Sequence, residues 1–136
     1  MHTDRRFNLL DHTMCKSVES YPPYKAVDRT KVFSLGDTAM SWLHFGGPIC
    51  GTHVIRWDWI DYDGFLFTSH YEKIDPEKHG LKRYEYYTLS SALTLHSEQW
   101  VMERMNKTLK VEVFFDNVHI ATETWSIGYR PHSQGR

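Results

Sequence analysis

Residues 51–67 read GTHVIRWDWIDYDGFLF, and their spacing decides the fold. From Thr52 to Ile60 the side chains alternate. Ile55, Trp57 and Trp59 share one face, and Val54, Arg56, Asp58 and Ile60 share the other. A period of two residues belongs to a β-strand, and one apolar face opposite a mixed one marks an antiparallel sheet with a single buried side. Asp61-Tyr62-Asp63-Gly64 follows as a turn, since Asp-Gly between alternating runs is a strong hairpin signal. Phe65–Ile74 then reads as the returning strand.

A second stretch, residues 109–121 (LKVEVFFDNVHIA), repeats the pattern. Leu109, Val111, Val113 and Phe115 share a face, with Lys110, Glu112 and Phe114 opposite. Asp116-Asn117 is read as a tight turn into Val118–Ile127, because both residues tolerate the left-handed conformation. Pairing the two stretches with Arg56 opposite Glu112 sets Asp58 opposite Lys110. It also brings Ile55, Trp57 and Trp59 against Val113, Val111 and Leu109. That register satisfies charge on one face and packing on the other, and each cross-strand pair contributes about 0.2–1 kcal/mol.

Working outward, short runs recur between turn signals. Thr13–Val18, Lys31–Leu35 and Thr38–Phe45 read as strands, the last closed by Gly46-Gly47-Pro48, and Arg83–Leu95 is a long strand. Ser97–Lys107 holds the single helical candidate, one turn around Trp100, Val101, Met102 and Met105. The reading is an all-β, immunoglobulin-like antiparallel β-sandwich of seven to nine strands. Its expected limits are residues 13–128, with tails at 1–12 and 129–136.

Composition agrees with one folded domain. The chain has 136 residues, 40% hydrophobic, 24% charged and 15% aromatic, values foreign to disordered chains. A net charge of −1 gives no electrostatic footprint for nucleic acid and little repulsion against self-association. No stretch has the length and character of a secretory signal or a membrane span, so neither membrane insertion nor a leader is expected. The compartment is read as cytoplasmic, or else the chain is a fragment of an exported protein. Cys15 and Cys50 form no C-x-x-C motif and are expected as free thiols, one of them buried.

The two quoted stretches, with Cys15-Lys16-Ser17-Val18 and residues 32–43 (VFSLGDTAMSWL), resemble uncharacterised immunoglobulin-like domains of bacterial and archaeal proteins. Those domains often read G-x-x-V-x-W-x-W/Y-x-x-P-D-G-x-L and later W-x-V-x-V-Y-x-D-G-x-x-I-A. The likeness runs over about residues 13–127. Tyr62 stands for the usual Pro before Asp-Gly, Asn117 for the usual Gly of the last turn, and Asn106-Lys107 for a Pro-Gly. The resemblance implies the sandwich fold and carries over no catalytic residue.

Candidate chemistry is sparse. His44, Cys50 and His53 flank the Gly46–Gly51 segment and are the candidate metal ligands, set against the simpler reading of sheet-end histidines and a loop thiol. No G-x-S-x-G elbow or catalytic-cysteine signature occurs, and Gly46-Gly47-Pro48 precedes a strand rather than a phosphate-cradling helix. Asp58, Asp61 and Asp63 lack the EF-hand spacing. Asn106-Lys107-Thr108 is a glycosylation sequon by pattern. The aromatics carry the strongest functional signal. Trp57 and Trp59 should point inward, while Tyr84, Tyr86 and Phe114 fall on faces that alternate away from the core and are the candidate binding residues. The expectation is a non-enzymatic binding or assembly module with no cofactor, acting on a protein partner or a second copy of itself. A carbohydrate-binding module using exposed rings is the first alternative, and a metal-dependent or thiol enzyme is the second.

Overall fold

A computed structural model describes residues 8–128, and they form nine β-strands with one short helix. The strands are β1 (Asn8–Val18), β2 (Ala26–Arg29), β3 (Val32–Phe33), β4 (Thr38–Cys50), β5 (His53–Ile60), β6 (Leu66–Ile74), β7 (Arg83–Thr94), β8 (Thr108–Phe115) and β9 (Val118–Ile127). A 3₁₀ turn, Pro76–His79, precedes β7, and helix α1 (Gln99–Met102) precedes β8. One sheet has the order β2-β1-β4-β7 and the other β3-β9-β8-β5-β6. All pairings are antiparallel except the short β3–β9 contact, which is parallel.

This connectivity is that of an immunoglobulin-like sandwich. β4 and β7 take the B and E positions, β6-β5-β8-β9 take C′-C-F-G, and β1 lies beside β4 as strand A. The buried tryptophans of the C strand are Trp57 and Trp59. No B–F disulfide staples the sheets, because Cys15 and Cys50 are both free, Cys15 buried and Cys50 exposed. The core is built instead by the expected alternation. Ile55, Trp57 and Trp59 meet Val111, Val113 and Phe115 between the layers, with Leu43 and Phe45 from β4. Each such side chain contributes about 1.5–3 kcal/mol by leaving water.

Several expectations shift. β1 begins at Asn8 rather than Thr13, so residues 8–12, expected in the tail, pair with β4 from Asn8↔Gly46 onward. The other expected tail, 129–136, lies outside the described residues. β4 does not close at Gly46-Gly47-Pro48 but continues to Cys50 through a bulge between Gly46 and Ile49. The glycines mark a close approach and not a loop, since a Cβ on Gly47 would lie 2.3 Å from the Tyr84 carbonyl oxygen of β7.

The β5–β8 register also differs from the reading above. Arg56 sits opposite Phe114, Asp58 opposite Glu112 and Trp57 opposite Val113, a shift of two residues. A two-residue slip keeps every side chain on its face, so alternation cannot distinguish the two registers. Arg56 finds its partners elsewhere. It donates to Asp58 Oδ1 (3.1 Å) and Asn117 Oδ1 (2.8 Å), and its guanidinium lies 4.1 Å from the Phe114 ring centroid.

Candidate functional site

An open groove runs along the edge strand β7. It has a volume of about 710 Å³ and includes Tyr24, Tyr84, Tyr86 and Thr88 among its walls. A second depression of about 260 Å³ adjoins it and shares Tyr24 and Thr88, with Trp42 at its base. Tyr86 is 47% exposed. Tyr84 packs partly against the core, its ring 4.5 Å from that of Tyr87. Burial, with Tyr84 and Glu72 nearby, pushes the Tyr87 phenol above its usual pKa. The structure therefore brings Tyr84 and Tyr86 to one groove, but only Tyr86 presents a substantially free ring.

Tyr24 escaped the sequence reading. It follows Pro22-Pro23 in the β1–β2 connection and has φ of 57°, a left-handed conformation uncommon for a bulky residue. Two hydrogen bonds fix it: its N–H donates to the Tyr21 carbonyl (2.8 Å), and the Trp42 indole N–H donates to its own carbonyl (3.0 Å). Trp42 is on the outer face yet buried, with the Arg29 guanidinium 5.4 Å from its ring centroid. Arg29 is in turn held by Asp11, whose carboxyl it keeps below the usual carboxylate range. Pro-Pro signals a turn, but turns usually place Gly or Asn in the left-handed position, so the sequence offers no direct cue to Tyr24.

Phe114, the third candidate, lies on the outer face of the other sheet. Arg56 covers one face of its ring and His119 meets it at 5.4 Å between centroids. It is half-buried beneath them and belongs to the other sheet from Tyr84 and Tyr86.

The metal candidates do not converge. His53 has both ring nitrogens engaged, Nδ1 with Asp116 Oδ2 (2.6 Å) and Nε2 with the Cys50 carbonyl (2.7 Å). His44 is packed between Trp42 and Tyr86. Among the described residues no group of three or more His, Cys, Asp and Glu side chains is placed to hold a metal ion.

A chain of catalytic residue types does occur where β5, β6 and β7 meet. Ser91 Oγ lies 2.9 Å from His70 Nδ1, and His70 Nε2 lies 3.1 Å from Glu72 Oε2. No motif flags these residues, because β6 and β7 come together only in the folded sandwich. Their arrangement is that of an internal hydrogen-bond network. Ser91 is 2% exposed and its Oγ already accepts the Trp59 indole N–H (3.0 Å), while His70 stacks on Trp57. The hydroxyl satisfies a buried indole.

The two lateral sides of the sandwich are unlike. On one side the edge strands β2 and β3 have only four and two residues. On the other, β6 and β7 are edges of nine and twelve residues. Residues 65–71 hold no Asp, Glu, Lys or Arg, and Phe65 and Tyr71 are 74% and 61% exposed.

No protein-family model matches the chain, and no curated protein matches it in sequence. Solved structures do share its shape. The C-terminal domain of wzt superposes with a TM-score of 0.56 at 8% identity, over 89% of this chain and 72% of that one. Part of the alkylpurine DNA glycosylase AlkC of Pseudomonas fluorescens matches with a TM-score of 0.50 at 7% identity, over 90% of this chain and 30% of that one. Part of a β-glucosidase from Listeria innocua, in complex with gluconolactone, matches with a TM-score of 0.50 at 18% identity. That match covers 88% of this chain and 16% of the glucosidase. At these identities the likeness is one of fold alone, and it agrees with the immunoglobulin-like sandwich that the strand order defines.

Proposed function

We propose that the protein is a non-enzymatic binding and assembly module, of the kind found among immunoglobulin-like domains of bacterial and archaeal proteins, and that it associates by strand addition at the β6 edge. The observation that carries this reading is the asymmetry of the edges. Natural sheets blunt their edges with short strands, charges or prolines, and an unblunted edge is a template for another strand. β6 has nine residues, the segment from Phe65 to Tyr71 holds no Asp, Glu, Lys or Arg, and Phe65, Leu66 and Tyr71 within it are more than half exposed.

A second copy is the partner that fits. Antiparallel pairing of β6 with itself about a two-fold axis is self-complementary, and an axis near Ser69 sets Tyr71 of each copy opposite Phe67 of the other. Glu72 and Lys73 then lie beyond the uncharged segment, so no like charges meet. Phe65, Leu66 and Tyr71, each more than half exposed, supply the apolar contact together with the strand backbone.

Sedimentation velocity of the full chain over a concentration series tests this. The expected result is a dimer that becomes a monomer in the Leu66→Lys/Tyr71→Lys variant and persists in Val118→Lys, an exposed apolar position on the β8–β9 hairpin. A monomer at every concentration, or a dimer indifferent to the β6 lysines, overturns the reading.

A further inference from the structure

The tyrosine groove carries an inference separate from assembly. Tyr24 is held in a left-handed conformation, which is strained for a non-glycine residue. Such strain persists only where surrounding structure over-determines it, and here a chain of contacts does so. Asp11 fixes Arg29, Arg29 covers Trp42, and the Trp42 indole N–H holds the Tyr24 carbonyl. The product of that chain is a phenol ring, 41% exposed, set over the groove where Tyr24 and Tyr86 line the same open surface. A glycine would satisfy the backbone without strain. The ring is the part of Tyr24 that the strain retains.

The chemistry of the walls indicates the ligand class. Aromatic rings offer flat apolar faces suited to the C–H faces of a pyranose. Between and beside the rings stand groups for hydroxyls: the Thr88 side chain, the Glu85 carboxylate and the tyrosine hydroxyls. Arg83 Nε donates to Glu85 Oε2 at 2.7 Å, and His79 also stands on the wall. Among the described residues, the arginine and the glutamate of the lining cancel in formal charge, which favours a neutral ligand. The groove is open and elongated by the adjoining depression, which suits a chain of sugar units better than a compact ligand.

We propose that this groove binds a neutral oligosaccharide, with Tyr24 and Tyr86 as stacking platforms and Thr88 and Glu85 as hydroxyl partners. This site lies along β7 and does not require pairing at β6, so its test reads a different quantity.

The test is a glycan array of neutral gluco-, manno-, galacto- and N-acetylhexosamine oligomers probed with the full chain, followed by calorimetric titration of the best binder. The expected result is binding that weakens at least tenfold in Tyr86→Ala and in Tyr24→Gly. Tyr24→Gly is the discriminating variant. It removes the ring while leaving the left-handed backbone strain-free, so binding should fall while the melting temperature holds or rises. No binding to any oligomer overturns the proposal. So does binding that survives both variants, or a groove that takes nucleotides or peptides in preference to glycans.

Discussion

Arg104 grips both carboxylate oxygens of Asp61, Nε to Oδ1 at 3.0 Å and Nη2 to Oδ2 at 2.6 Å, and so ties the segment after α1 to the β5–β6 turn. The same guanidinium donates to the Trp100 carbonyl and lies 4.7 Å from the Phe67 ring centroid. Both side chains of the pair are mostly shielded from water.

The Arg104 guanidinium holds the Asp61 carboxyl below its usual range, which gives a signed pH prediction. A depressed folded-state pKa stabilises the fold above the ordinary aspartate value and loses that contribution as pH falls through the lower one. At pH 7 Asp61→Asn should be less stable than the parent by about 1–2 kcal/mol. The difference should shrink as pH falls below about 4, the ordinary aspartate range. Urea denaturation at several pH values measures it, and a constant difference from pH 7 to pH 2 would show that the ion pair is not its source.

The thiols should behave as two distinct classes. Cys15 is fully buried and its burial pushes the thiol pKa up, whereas Cys50 ends β4 in the open. Reactivity follows the thiolate and its access. In native buffer, dithionitrobenzoate should therefore label one thiol quickly, and Cys50→Ser should abolish that phase. Cys15 should react only on unfolding. Two fast equivalents in the native protein would contradict the burial of Cys15.

Gly47 is a steric requirement. An added Cβ would stand 2.3 Å from the Tyr84 carbonyl oxygen and 2.8 Å from the Ile49 nitrogen, both backbone atoms that cannot rotate away. Gly47→Ala should cost about 2–3 kcal/mol. Gly51→Ala is the useful contrast. It has open space around its Cβ but φ of 79°, so it should cost about 1–2 kcal/mol through backbone conformation alone. Thermal melts of the two variants compare them, and equal losses would remove the steric account.

The parts of this fold legible in the sequence are those governed by alternation. Ile55, Trp57 and Trp59 and the apolar face of β8 read directly, because strand periodicity and burial follow one another residue by residue. The Asp116-Asn117 turn was legible too, and both residues have positive φ. What alternation cannot carry is anything set by close backbone approach or by strands far apart in the chain. Gly47 looks like a loop glycine until Tyr84 lies against it. Of the candidate binding residues, Tyr86 is exposed, whereas Tyr84 turns partly inward and Phe114 lies under Arg56 and His119. Tyr24 joins the groove only through a contact from Trp42 on another strand.

The register of β5 against β8 shows the same limit and yields the last prediction. Charge pairing alone favours Arg56 opposite Glu112, yet the fold sets Glu112 opposite Asp58. Asp116 accounts for the difference. Its N–H donates to the Val54 carbonyl (2.9 Å), its Oδ1 accepts the Val54 N–H (2.9 Å), and its Oδ2 meets His53 Nδ1 (2.6 Å). These bonds clamp the β8–β9 turn to the start of β5 and fix the register locally. Charge-assisted bonds of this kind outweigh one cross-strand ion pair, worth about 0.2–1 kcal/mol. Two substitutions therefore act in opposite directions. Asp116→Ala should destabilise by about 1–2 kcal/mol, because half-exposed charged hydrogen bonds are lost. Glu112→Gln should stabilise by up to about 0.5 kcal/mol, because it relieves the carboxylate facing Asp58. Chemical denaturation of both variants at low salt measures this, and a destabilised Glu112→Gln would mean that Glu112 has the favourable partner that the other register assigns to it.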